Sequence, residues 1–324
     1  MPQFSVTTRR QLLATAAFSM AAASVTQRAN AMNEPQSEKN DDQHPWIDAH
    51  SHIWSTDLKK YPLRNNQTID VLVPRSFTDE ELMALAMPQG VGRVVLIQHY
   101  PHHGYDNSYL VDTWKKHPER FRIVGQIDAD GPHVDQTMRD MLHTGVTGFR
   151  IGPHSNDSDW LAGDGMKQMW KTAAETGQSM CCLINPWNLA ETDKWCTANP
   201  DTPVVIDHFA RIGADGTIQD EDVQNLCNLS KHKLVRVKIS AYYALGKKQP
   251  PYLDLIPMIK RLFDAYGPDR LMWASDCPYQ LGGTNTYAAS VALVRDHLDF
   301  VSVEDRRKLL RTTAENTFFF TDKK

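Results

Sequence analysis

Beyond position 45 the chain alternates two textures: short apolar runs rich in Val and Ile, and longer segments in which apolar residues recur every three or four positions. The short runs have the length and β-branched content of strands, and the longer ones have the periodicity of helices with one buried face. Strands are predicted over Trp46–His50, Arg93–Gln98, Phe121–Ile127, Val146–Ile151, Ser179–Ile184, Val204–His208, Leu234–Ser240 and Leu271–Ser275. Helices are predicted between them over Asp79–Met87, Ser108–His117, Val134–His143, Met166–Thr176, Leu189–Ala198, Asp222–Lys231, Leu253–Tyr266 and Ala288–Leu298, with an amphipathic segment Glu304–Phe318 closing the chain. Strands alternating with helices imply a parallel sheet with helical crossovers. Eight such units over residues 45–324 match a single-domain α/β fold of the (β/α)8 TIM barrel type. A doubly wound open sheet shares the local pattern but not the count.

Polar positions inside the strands refine this picture. A parallel strand covered on both faces is almost wholly apolar, yet Val235-Arg236-Val237-Lys238-Ile239-Ser240 alternates. In a barrel, Val235, Val237 and Ile239 face the helices while Lys238 and Ser240 point inward near the C-terminal mouth. The same parity sends Phe149 and Ile151 outward and turns Arg150 toward the mouth.

The first residues follow another pattern. Thr8-Arg9-Arg10-Gln11-Leu12-Leu13 leads into an Ala-rich run through Val25, and Ala29-Asn30-Ala31 offers a small-residue cleavage site. Residues 1–31 resemble a twin-arginine signal peptide, which implies export to the periplasm or another extracytoplasmic space. The apolar run is shorter than the ~20 residues of a membrane span, so no stable membrane anchor is expected after processing. Residues 32–44 are almost devoid of apolar side chains and read as a disordered linker.

Composition changes little in this reading. The full chain has 324 residues, 41% apolar and 23% charged, with a formal net charge of -4, so there is no basic bias of the kind a nucleic-acid partner requires. Its five cysteines are an odd number, and Cys181 and Cys182 are adjacent, which favours buried free thiols over a disulfide framework.

Function in a barrel is read at the C-terminal ends of the strands. There the chain places His50 and His52, then Gln98 and His99, Arg150, Asp207 and His208, Lys238 and Ser240, and Ser275 and Asp276. His50 and His52, two apart on a strand, project to one face, the spacing a shared metal ion or water needs. Closure makes the eighth strand the neighbour of the first, so Asp276 brings a carboxylate to the imidazoles. His99, His102 and His103 follow the second strand and either line the mouth or, as a Tyr-Pro-His-His loop favours, are solvated, and His154 shares that ambiguity. Trp54, Trp160 and Trp187 follow the first, fourth and fifth strands, as pocket walls or as packing.

Ile47-Asp48-Ala49-His50-Ser51-His52-Ile53-Trp54, Gly145-Val146-Thr147-Gly148-Phe149-Arg150, Val205-Ile206-Asp207-His208, Val237-Lys238-Ile239-Ser240 and Asp269-Arg270-Leu271-Met272-Trp273-Ala274-Ser275-Asp276-Cys277-Pro278 occur in that order. The set resembles the amidohydrolase-related metal-dependent hydrolases, and within them the branch of 2-pyrone-4,6-dicarboxylate and sugar-acid lactonases. The resemblance implies that His50 and His52 hold a metal or a water, that His208 lies at the reacting centre, and that Asp276 is the general base. Two positions depart from relatives with a full metal site, the decarboxylases among them. The fifth strand reads Met180-Cys181-Cys182-Leu183-Ile184-Asn185 without its histidine, and the fourth lacks a bridging lysine. Cys277 stands where a tryptophan is usual.

The expected activity is hydrolysis of a lactone of a small, anionic, carboxylate-bearing or sugar-acid substrate. Asp276 and His208 are the catalytic candidates and Arg150, Lys238 and Ser240 the substrate-binding ones. His50, His52 and Asp276 are the candidate ligands of one divalent ion, zinc or manganese, and a metal-free mechanism stays open. The alternatives are a decarboxylating lyase on the same fold, which the missing strand-five histidine disfavours, and a binding protein without chemistry, which the presence of the whole His/His/His/Asp set disfavours.

Overall fold

The computed structural model describes residues 45–153 and 159–320. The expected signal segment, the linker and His154 lie outside the described residues.

Eight strands form one parallel sheet in sequential order. They are β1 (Trp46–Ser51), β2 (Val91–Ile97), β3 (Phe121–Gly125), β4 (Val146–Ile151), β5 (Ser179–Cys182), β6 (Val204–Ile206), β7 (Val235–Ile239) and β8 (Leu271–Trp273). The sheet curls into a nearly closed barrel. Just beyond β8 the Asp276 N–H donates to the His50 carbonyl at 2.8 Å and the His52 N–H donates to the Cys277 carbonyl at 2.7 Å. At the other end of β1 and β8, a helical turn over Lys308–Thr312 and the helix following it pack against both strands.

The helices between the strands are α1 (Asp79–Ala86), α2 (Tyr100–His103), α3 (Ser108–Lys116), α4 (Val134–Leu142), α5 (Asp164–Thr176), α6 (Leu189–Ala198), α7 (Asp220–Asn228) and α8 (Ile256–Tyr266). After β8 come α9 (Tyr287–Asp296), α10 (Val303–Arg307) and α11 (Thr313–Phe318). Local chemistry fixes their ends. Thr78 Oγ1 accepts from the Glu81 N–H at 3.3 Å while the Glu81 carboxylate accepts from the Thr78 N–H at 2.6 Å, so two donors that α1 leaves over are matched reciprocally. Gly177, with φ of 77°, ends α5 in the left-handed conformation that costs glycine nothing.

Strand parity sorts the apolar residues into two layers. Phe149, Ile151, Val235, Val237 and Ile239 join the large outer core between sheet and helices, as the alternation predicts. Ile47, Ala49, Val95, Ile97, Val124, Cys181, Val205, Met272 and Ala274 fill the barrel interior, joined by Ala314 and Phe318 of α11. Phe318 therefore seals the interior opposite the site, which keeps water out from below. All five cysteines are buried and unpaired. Among the described residues no helix is long and apolar enough to cross a membrane.

Several strands stop earlier than their sequence pattern predicts. The backbone turns left-handed just past the strand ends, at His208 (φ 51°), Ala241 (φ 58°) and Asp276 (φ 62°), and so leaves the ladder before the polar residues. The last predicted helix is broken by the wide turn at Lys308–Thr312, and α2 falls where a solvated loop was expected.

Candidate active site

The end of β1 organises the mouth of the barrel from both of its faces. His50 and His52 turn inward, while Asp48, paired with Val94 of the outer core, turns to the helix side, and all three are buried. Asp48 works behind the chemistry, against Tyr287 of α9. Its Oδ1 accepts from the backbone N–H groups of His50 (3.0 Å) and Ser275 (2.9 Å). Its Oδ2 accepts from the hydroxyls of Ser51 (2.7 Å), Ser275 (2.5 Å) and Tyr287 (2.9 Å). Burial pushes this carboxyl upward while the Ser275, Ser51 and His50 donors pull it down. The five contacts tie β1 to the segment after β8, and so fix the two histidines relative to Asp276.

Asp276 Oδ1 lies 3.5 Å from His50 Nε2, 3.5 Å from His52 Nε2 and 3.8 Å from His208 Nε2. Its Oδ2 accepts from the Tyr243 hydroxyl at 2.8 Å. Burial favours the neutral carboxyl, but His208, His52 and His50 outweigh it and hold the group below the ordinary carboxylate range. Burial also keeps His50 well below its usual value, reinforced by Lys238 and His208, and brings His208 down to about 4 against the opposing pull of Asp276 and Asp207. Both imidazoles are therefore neutral near pH 7, the form that ligates metal.

This donor set fits one divalent ion. Ligand atoms of His50, His52 and Asp276 all lie within 4.8 Å of one another. His52 Nδ1 is 2.9 Å from the Ile97 carbonyl, which puts the ring proton on Nδ1 and leaves the Nε2 lone pair facing the cluster. His50 Nε2 is buried without a protein hydrogen-bond partner. The other nitrogen of His50 lies 3.2 Å from Lys238 Nζ and 3.5 Å from Asp207 Oδ1. With its proton on Nδ1 the ring faces Asp207 and frees Nε2 for a metal. With Nδ1 accepting from Lys238, the proton sits on Nε2.

Beneath the imidazoles lies a buried charge pair. Lys238 Nζ is 3.0 Å from Asp207 Oδ1, and Arg150 Nε is 3.8 Å from Oδ2. Burial by itself would raise Asp207, but Lys238, His50 and Arg150 hold it well below the carboxylate range. Lys238 is wholly enclosed, its ammonium 5.3 Å from the Phe318 ring. Ser240 is enclosed too, its hydroxyl 2.8 Å from His208 Nδ1 and 3.4 Å from the Lys238 carbonyl.

Above this floor opens a cavity of 440 Å³ whose wall includes His52, His208, Asp276, Arg150, Arg211 and Tyr243. The structure thus brings His50, His52, His208, Asp276 and Arg150 together. It places Lys238 and Ser240 below the cavity rather than on its wall, because the inward parity that selected them carries them to the floor. There Lys238 meets Asp207 and Ser240 meets His208.

Other expectations are corrected in the same region. His99, His102 and His103 are buried, not solvated: His99 packs against Trp54 and Tyr279, His102 against Trp54, and His103 Nδ1 lies 3.2 Å from the Pro62 carbonyl. His99 Nε2 is hydrogen-bonded to the Tyr279 hydroxyl, and both residues line the cavity. Of the three tryptophans read as pocket walls or as packing, none lines it. Trp54 is buried with its indole N–H donating to the Pro74 carbonyl at 2.8 Å, Trp160 borders a neighbouring cavity that shares Arg150, and Trp187 stands on an outer groove. Cys277 packs in the outer core.

Arg211, Tyr243 and Asp48 carry no expectation from the sequence. Asp48 shares the sequence parity of His50 and His52, but the irregular pairing of β1 between Asp48 and Ser51 leaves it on the opposite face. Arg211 reaches the cavity through a turn in which His208, Phe209, Ala210 and Arg211 all have φ between 51° and 58°. A left-handed turn of L-residues costs about 1–2 kcal/mol per residue, and burial of Phe209 and Ala210 offsets it. The strained turn presents His208 and Arg211 to the same space.

A family model for amidohydrolases matches residues 47–320. Among curated proteins, the L-fucono-1,5-lactonase of Burkholderia ambifaria is 26% identical over 239 residues, covering 72% of this chain and 80% of its own length. The 4-sulfomuconolactone hydrolase of Hydrogenophaga intermedia is 26% identical over 237 residues, covering 72% of this chain and 74% of its own. Among solved structures, an amidohydrolase from Burkholderia multivorans with bound zinc superposes with a TM-score of 0.73 at 20% identity, over 86% of this chain and 100% of that one.

Proposed function

The chain belongs to the amidohydrolase family, and from that premise we propose that it is an enzyme that opens lactone rings by hydrolysis, acting on carboxylate-bearing or sugar-acid lactones. The observation that carries this reading is the meeting of one ionised carboxylate, three imidazoles and two guanidinium groups around a single cavity. The two curated relatives named for lactone hydrolysis support it.

In this reading Asp276 takes a proton from the attacking water at Oδ1, the oxygen that faces the imidazoles, while Tyr243 holds Oδ2 in place. The water oxygen adds to the ring carbonyl, and the charge that develops on the carbonyl oxygen is met by Arg150, Arg211 or a donor on His208. The ring C–O bond then breaks, and the proton on Asp276 passes to the departing alkoxide, which leaves a hydroxy acid. A guanidinium not engaged by the oxyanion binds a substrate carboxylate. A divalent ion, zinc or manganese, held by His50, His52 and Asp276 supplies Lewis acidity and lowers the pKa of a water at this site. Lys238 works indirectly, by keeping Asp207 ionised under His50.

The test is a pH-stat assay of the purified chain on a panel of aldono-1,5-lactones and muconolactones, with and without chelator and added zinc or manganese. Lactone opening releases one proton per turnover. Carbon dioxide release from aromatic acids, with no proton release from any lactone, would assign the chain to the decarboxylases instead. The Thr8–Leu13 pattern supports the further proposal that the enzyme is exported by the twin-arginine route and works outside the cytoplasm.

A further inference from the structure

Of the eight tryptophans, Trp187 alone is exposed, with 67% of its surface open. A ring of this size buries roughly 150–250 Å² when covered, so an open one beside a cavity is a platform for a ligand. Trp187 lies in the turn Pro186–Asn188 that follows β5, on the edge of a groove of 680 Å³. The groove shares Arg211 and Ala214 with the catalytic cavity, so the two spaces adjoin at these residues.

Their chemistry differs. The catalytic cavity carries Arg150 and Arg211, whereas the groove beyond Arg211 offers Asp215, Thr217, Glu221 and Asn225 and, among the described residues lining it, no other cation. A carboxylate or phosphate in the groove would meet like charge. A plain hydrocarbon would desolvate carboxylates and amides without giving them partners. A sugar ring satisfies both parts: its C–H face covers the indole, and its hydroxyls donate to the carboxylates and exchange hydrogen bonds with Asn225 and Thr217.

We propose that this groove is a second subsite that holds a glycosyl residue attached to the lactone, so that the preferred substrate is the lactone of a disaccharide acid rather than of a single sugar acid. The proposal rests on the lactonase reading for the reaction, and on Trp187 and the groove for the ligand.

The experiment compares glucono-1,5-lactone with cellobiono-1,5-lactone on the full chain, as wild type, Trp187→Phe and Trp187→Ala, corrected for spontaneous opening. In parallel, saturation-transfer NMR follows binding of cellobiose itself. Expected is a higher kcat/KM for the disaccharide lactone in the wild type. Trp187→Ala loses about tenfold of it, the equivalent of one aromatic contact, while glucono-1,5-lactone stays within about twofold and Trp187→Phe falls between. Equal kcat/KM on the two lactones, or the same loss on both in Trp187→Ala, overturns the subsite. So does tetramethylammonium binding at Trp187 without cellobiose binding, which would make the groove a cation site. Cellobiose binding that depends on Trp187 with no lactone opened would leave the sugar site standing and remove the lactonase reading.

Discussion

Lys238→Met isolates the buried charge pair under the histidines. The substitution keeps the length and apolar stem of the side chain against Phe318 and removes only the ammonium. With Nζ 3.0 Å from Asp207 Oδ1, the gross attraction is about 5–6 kcal/mol at an effective dielectric constant of ~20. The pair has ion-pair distance without good hydrogen-bond alignment, as both Asp207 oxygens otherwise lack donors, so the carboxylate depends on charge for its solvation. Arg150, at 3.8 Å, compensates in part. The expected loss is about 3–5 kcal/mol at pH 7, the range for breaking one side of a buried pair, read by urea unfolding. The pH dependence has a definite sign. In the wild type the folded Asp207 carboxyl lies below its unfolded value, so its stabilisation is present above the unfolded pKa and is lost as pH falls through the folded one. In the variant the largest of the opposing charges is gone, so burial weighs more and the carboxyl is expected to titrate higher than in the wild type. The penalty is then full at high pH and shrinks as pH falls toward the acid range. The gap between wild type and variant therefore narrows from pH 7 to pH ~4.5, and Lys238→Met/Asp207→Asn recovers most of the loss. A gap below about 1 kcal/mol at pH 7, or one that neither pH nor the second substitution reduces, would refute the reasoning.

Three further outcomes are expected. Tyr287→Phe removes one hydroxyl donor from Asp48 Oδ2 and lowers stability by about 1.5–3 kcal/mol, the range for hydrogen bonds to a charged group; an unchanged thermal midpoint would mean that the Asp48 cluster does not need this donor. Zinc at 100 times its Kd stabilises the wild type by about 2.7 kcal/mol, and His52→Ala abolishes that shift along with the bound zinc found by elemental analysis; equal zinc shifts in the two proteins would place the metal elsewhere. His133, exposed and left-handed at φ 53° before α4, is strained as an L-residue, so His133→Gly raises stability by about 0.5–1 kcal/mol, and a drop in the urea midpoint would contradict this.

The barrel is legible in the sequence because its strands are Val- and Ile-rich and its inward polar residues break the pattern at fixed parity. That parity locates His50, His52, Arg150 and Lys238 correctly on the inside. It does not give depth, and depth separates Arg150 on the cavity wall from Lys238 on the floor. Asp48 is misread by parity, because the irregular pairing between Asp48 and Ser51 sets it on the helix side, and an aspartate between two apolar residues gives no hint that five donors converge on it. Arg211 and Tyr243 could not be found this way. They sit past the strand ends, on backbone that turns left-handed at Phe209, Ala210 and Ala241, and no periodicity describes such turns. Tyr100-Pro101-His102-His103 has the composition of a loop, and the burial of His102 and His103 follows from tertiary contacts with Trp54 and the Pro62 carbonyl that local sequence does not encode.

The most direct test of the central claim is kcat/KM for lactone opening by Asp276→Asn beside the wild type, at equal measured metal content. Loss of the general base predicts a fall of about 10²–10⁴-fold. Turnover within twofold of the wild type on a lactone the wild type opens would contradict the role assigned to Asp276 at the meeting point of His50, His52 and His208.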